Sequence, residues 1–263
     1  MVLAAAATGL LAPAAMTAQT LEARVAAAPD GEVRFTFTAR PDVVGNGRSM
    51  IQWSCNRGDC RQQADGAIPG GDRDDLRSPC DTGPVRVTLH QRQGRTTSLR
   101  VAVGGRTTGL SGTDLGRVAV SDAVHYLLAL AEASEGDLGG HAIFAATLAD
   151  SVIVWPDLLR IARMTRVPLE TRRSAVFWVS QAAEVAATRG LDSLIDEEAA
   201  DREVREQAVF ALAQRPHDES VPTLIRIAQS NRDPEVRKRA IFWLGQSEDP
   251  RALALFEELL TRP

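Results

Sequence analysis

Cys55, Cys60 and Cys80 are the residues of this chain best equipped for chemistry, and they share one loop-rich stretch, "SCNRGDCRQQADGAIPGGDRDDLRSPCDTGP". Thiols can hold a metal or pair by oxidation. A zinc site would need a fourth ligand beside the three sulfurs, and the nearest histidine, His90, sits in strand pattern. In an oxidising compartment two of the three should pair and leave one over. Cys80 stands just before a strand, so a bridge from it to Cys55 or to Cys60 would pin both ends of the loop. Either is preferred to Cys55–Cys60.

The remaining candidates are weaker. "GDRDDL" carries Asp72, Asp74 and Asp75, but the glutamate that closes a calcium loop is missing. "GNGRS" lacks the third glycine and the strand-to-helix context of a dinucleotide fingerprint. "GLSGT", around Ser111, misses the second glycine of a nucleophile elbow. His90, His125, His141 and His217 are scattered over both halves, and no H-E-x-x-H, phosphate loop or Cys–His pair appears. No catalytic residue, cofactor or metal is expected.

The elements that could position such residues begin with an uncharged run at 2–18, ending in the small-residue options Ala12-Pro13-Ala14 and Met16-Thr17-Ala18. It reads as a secretory leader over 1–20, lacking only a basic residue before Arg24. Pro13 and its short length argue against a membrane span, so none is expected in the mature chain. Export to the periplasm or beyond agrees with the clustered cysteines. The formal charge of −4 divides into an excess of three positive charges over 19–112 and of seven negative charges over 113–263. Neither half has the basic excess of a nucleic-acid binder.

Residues 22–112 read as strands. Val33, Phe35 and Phe37 alternate with Arg34, Thr36 and Thr38, and Val85, Val87 and Leu89 alternate with Arg86, Thr88 and His90. A Gln93-Gly94 turn leads to a further alternating run, 97–103, which predicts a hairpin. The expectation is a small antiparallel sandwich or half-barrel over 21–112.

From residue 121 the period changes to 3.6, and a longer one rides above it. Ala142, Ala175, Ala208 and Ala240 recur at steps of 33, 33 and 32, as do Phe144, Phe177, Phe210 and Phe242. "LLRIAR" at 158–163 returns as "LIRIAQ" at 224–229. Each copy is a helix pair, and since a single pair cannot bury its apolar face, the pairs must stack. Val204, Ala208, Ala211 and Leu212 form the inward stripe. Trp178 and Trp243 take the Ala211 position in their copies and read as core. Asp201 and Asp233 are placed to cap their helices, with Pro234 at the first turn of the second.

These copies, "DREVREQAVFALAQRPHDESVPTLIRIAQ" and "DPEVRKRAIFWLGQSEDPRALALFEELL", resemble bacterial HEAT repeats of the short, lyase-like kind over about 139–263, with a leading half-repeat at 121–133. The β unit carries no such resemblance; together the two readings predict an α+β protein, the β unit followed by an α-solenoid of about four HEAT-like helix pairs over 113–263. The resemblance also implies a polar ladder through Asp201, Arg205, Asp233 and Arg237, interrupted at Arg172, where Pro168 replaces the aspartate. It further implies that the second helices line the concave side. Arg160, Arg163 and Arg226 should then face outward together and meet an acidic partner. The function expected is a non-enzymatic protein-interaction scaffold of the cell envelope. The alternatives are a lyase like the bilin-handling relatives of this repeat type, and a structural spacer.

Overall fold

A computed structural model describes residues 19–45, 47, 51–52, 81–104 and 111–261. The apolar leader, Cys55, Cys60, Cys80 and the Asp72–Asp75 stretch lie outside the described residues.

The N-terminal unit opens with a helix where a strand was expected. Helix α1 (Leu21–Ala26) is capped by Thr20, whose hydroxyl accepts from Ala23 N at 3.2 Å. Seven strands follow among the described residues: β1 (Gly31–Phe37), β2 (Val44–Gly45), β3 (Ile51–Gln52), β4 (Asp81–Thr82), β5 (Val85–Arg92), β6 (Arg95–Val103) and β7 (Thr113–Arg117). The main sheet has the order β6-β5-β1-β7, and β3-β2-β4 forms a small second one. The predicted hairpin closes through Gln93 and Gly94, whose φ angles of 53° and 69° suit a primed two-residue turn. Asp30 clamps it, accepting from Gln93 N at 2.8 Å and Gly94 N at 3.2 Å.

Two expectations fail here. The sheet is mixed, not antiparallel, because β7 pairs in parallel with β1. That strand also moves the boundary: residues 113–117 belong to the sheet, so the solenoid begins at α2 (Val120–Ala133), not at residue 113. One face of the main sheet packs against helices. Val33, Phe35, Phe37, Val85, Val87 and Leu89 are fully buried on the face that meets helices, with Phe35 edge-on to Tyr126 of α2 at 5.9 Å. One apolar core runs from this sheet into the helices. On the other face Arg86 is buried, donating to Gly47 O and Gly104 O at 3.3 Å each; desolvation, with Arg34 beside it, lowers its pKa.

The helix pairs follow as α3 (Leu138–Thr147) with α4 (Trp155–Arg163), α5 (Leu169–Ser180) with α6 (Val185–Asp196), α7 (Arg202–Ala213) with α8 (His217–Ser230), and α9 (Pro234–Gln246) with α10 (Pro250–Thr261). The repeated alanines Ala142, Ala175, Ala208 and Ala240 are fully buried. Such small side chains let the first helices approach closely. Accordingly α3, α5, α7 and α9 lie nearer one another along the stack than α4, α6, α8 and α10 do. Among the described residues no helix is long and apolar enough to cross a membrane.

Candidate functional site

The polar ladder runs forward, from the arginine of one pair to the aspartate opening the next. Arg172 of α5 binds Asp201 at the start of α7, and Arg205 of α7 binds Asp233 at the start of α9 at 2.8 Å. Asp233 also caps its helix, accepting from Glu235 N at 3.0 Å. Burial raises its carboxyl pKa, but the Glu235 N–H and the guanidiniums of Arg202 and Arg205 outweigh that and hold it below the usual range. Asp201 occupies the cap position without making the expected side-chain cap bond, because its carboxylate turns to Arg172. Arg172 is therefore not the broken rung. Its guanidinium is buried between Asp201 and Val167 O, the latter at 2.9 Å. Arg237 donates to the Asn231 and Arg232 carbonyls, at 2.8 and 3.2 Å, and meets no carboxylate among the described residues.

A second tie has no counterpart in the repeat pattern. Arg215, 5% exposed, donates to Thr188 Oγ1 at 2.9 Å, to the carbonyls of Ser180, Ala182 and Glu184, and to Glu219 at 3.1 Å. It stitches the α7–α8 corner to the α5–α6 corner. Arg215 falls in a corner rather than on a helix stripe, so periodicity gave no signal for it.

The three arginines expected to receive a partner are each engaged along the stack. Arg160 binds Glu132 of α2 at 2.7 Å and Asp157 at 3.2 Å. The hydrogen bond to Glu132 is the main reason its pKa is raised. Arg163 binds Glu197 at 2.7 Å. Arg226 binds Asp192 and, at 3.1 Å, Asp196. A guanidinium is long enough to span neighbouring helices, and each finds an acid there. The row is a neutralised network, not a positive face.

The first helices carry aromatic groups instead. Trp178 lies 5.3 Å from Phe144 of the preceding pair and edge-on to Phe177, and Trp243 repeats this with Phe210 and Phe242 at 5.1 Å each. Both tryptophans are half-buried, whereas Ala211 in the equivalent position is wholly buried. Their rings rest on the core rather than in it. The first cluster borders a groove of about 570 Å³ where the sheet unit meets the solenoid. The chain after β1 is stapled there to the α3–α4 connection: Arg40 N donates to Leu148 O at 2.9 Å and Asp150 N to Thr38 O at 3.1 Å. Arg40 and Asp42 bound one side; Trp155, Phe177, Trp178 and Ile153, 62% exposed, supply the apolar walls. No histidine or cysteine lines it. All four histidines are exposed, and among the described residues no three His, Cys, Asp or Glu side chains gather as metal ligands.

Stacked helix pairs, a buried alanine column and forward Arg-to-Asp rungs define an α-solenoid, here continuous with a small mixed sheet. The particular kind is given by residues 191–263, which match the family model for HEAT repeats. The match covers the helix pairs from α6 onward and does not reach the sheet unit. Comparison with curated proteins finds no match.

Proposed function

We propose that this chain is a non-enzymatic interaction scaffold of the cell envelope, and that its partner docks in the groove between the sheet unit and the solenoid. The observation that carries this reading is the groove's lining: rings held rigid by the core, an exposed Ile153, and a polar rim with Arg40, Asp42 and Glu184. An apolar centre within a polar rim is the anatomy of a protein-binding surface. The partner inserts a large apolar or aromatic side chain there. This site replaces the arginine row, whose charges are answered within the chain. Envelope localisation is supported by the uncharged run at 2–18 and the cysteine cluster, and predicts a mature start between about residue 15 and about residue 20.

The test is affinity capture from the native envelope fraction with wild type and with Ile153→Asp/Gln181→Glu, both exposed positions. One stoichiometric partner, lost with the double variant while far-UV circular dichroism is unchanged, is expected. Undiminished capture by the variant overturns the site.

A further inference from the structure

The glutamine at the end of each first helix is left unused by the stacking. Gln181, Gln214 and Gln246 follow one another at steps of 33 and 32 residues, where α5, α7 and α9 end. All three are exposed. Gln181 donates to Ser180 Oγ at 3.0 Å, while Gln214 and Gln246 make no side-chain hydrogen bond among the described residues. Gln181 and Gln214 are each followed by a further pair, so their exposure belongs to the face and not to the end of the stack. An amide repeated at every step, with little to bind inside the fold, is free for a ligand.

Each glutamine lies four residues after a phenylalanine, Phe177, Phe210 or Phe242, and so on the same side of its helix. Phe177 and Phe210 are half-buried, and the indoles of Trp178 and Trp243 lie against Phe144 and Phe210. Every step therefore offers one aromatic face and one amide. Packed helices stand about 8–10 Å apart, which sets the distance between successive steps. A polyproline-II segment advances about 9 Å per turn of three residues and has no internal hydrogen bonds, so it turns the same side and a free carbonyl to each step. A β-extended segment also covers the step in about three residues, but an odd count turns opposite sides to successive steps. The pitch selects the polyproline form.

We propose that the column on α5, α7 and α9 binds a proline-rich segment of a partner in the polyproline-II conformation. Pyrrolidine rings rest on the phenylalanine faces, and Gln181, Gln214 and Gln246 donate to main-chain carbonyls, one per turn. This rests on the reading that a protein partner docks at the groove, since Phe177 and Gln181 also line it. The groove takes the partner's apolar side chain, and the column takes the segment that continues from it.

Titration of the full chain into a fluorescently labelled peptide of nine prolines, followed by anisotropy, tests the column apart from the groove. Nine prolines make three turns, one for each step. Saturable binding below about 1 mM is expected. A nine-residue glycine–serine peptide should bind at least ~10-fold more weakly, because its chain must first be ordered. Gln214, which lies outside the groove, carries the decisive variant. Gln214→Ala removes one hydrogen bond and should weaken nona-proline binding roughly 5–10-fold, with circular dichroism unchanged. Ile153→Asp, in the groove but off the column, should leave nona-proline binding as it is. The proposal is overturned if nona-proline does not bind saturably, if the glycine–serine peptide binds equally well, or if Gln214→Ala binds as wild type does. Nona-proline binding that persists while native capture is indifferent to Ile153→Asp would support the column and overturn the groove alone.

Discussion

Replacing Arg215 with methionine should destabilise the protein more than any surface arginine does. Methionine keeps most of the aliphatic stem and supplies no donor, so the change isolates the guanidinium. That group binds Thr188 Oγ1, three main-chain carbonyls and Glu219, and it is 5% exposed. Bonds from a charged donor contribute ~1.5–3 kcal/mol each in favourable cases. Part of this returns, because the variant regains ~2 kcal/mol of arginine rotamer entropy and water reaches the half-exposed acceptors. A net loss of about 3–5 kcal/mol is expected, the range found when one partner of a buried polar set is removed. Urea unfolding at pH 7, followed by far-UV circular dichroism with the m value checked, measures it. The comparator is Arg239→Met, which removes only an exposed pair to Glu206 at 2.7 Å and should lose less than about 1 kcal/mol. Arg215→Lys should behave like the methionine variant, since one ammonium cannot reach acceptors spread around a planar fork. If Arg215→Met loses no more than Arg239→Met, the corner-to-corner clamp is not a source of stability.

Asp249 is held at about 2, first by the Arg251 side chain and then by the Arg251 N–H. A depressed folded pKa contributes stability that is complete above the unfolded value of 3.8 and is lost as pH falls from there toward 2. Asp249→Asn should therefore flatten the fall in melting temperature between those two values, and an unchanged slope would contradict it. Arg160→Glu/Arg226→Glu sets new carboxylates beside Glu132, Asp157, Asp192 and Asp196, so it should lower the melting temperature by roughly 2–4 °C. An unshifted midpoint would mean that these pairs contribute nothing. Gly139→Ala drives a methyl into the Thr171 side chain and should lose about 1–3 kcal/mol by calorimetry. Gly140→Ala, whose nearest neighbour is Ser174 Oγ at 3.4 Å, should be neutral or gain up to ~1 kcal/mol.

The solenoid was legible because one physical role recurs at every junction: Ala142, Ala175, Ala208 and Ala240 are all buried between first helices, so the chain writes the same letter each time. The sheet was legible as far as alternation reached. β1 and β5 bury every second residue on one face, whereas β7 is a short, largely exposed edge strand carrying Gly116 at φ 72°, and nothing in "TDLGR" sets it apart from a turn. Helix α1 was hidden for a related reason. Six residues are too few for a helical period, and only the Thr20 cap marks it. The groove could not be read at all, since Arg40, Trp155 and Trp178 come from three separated segments that only the fold brings together.

Pro168 shows how a correct observation about sequence can attach to the wrong residue. Its lack of a carboxylate suggests that Arg172, four positions on in the same helix, has lost its partner. The observed rungs run the other way, from each arginine to the aspartate of the following pair, so position 168 answers the residue 33 before Arg172. That residue is Gly139. The chain has therefore dropped both ends of one rung together, which removes the penalty of leaving either charge buried alone. The vacated space is filled by close packing, with Gly139 of α3 lying directly against Thr171 of α5. A proline at the start of α5 is tolerated because the first turn has no use for its N–H. Direction, which no single repeat contains, is what assigns each charge its partner.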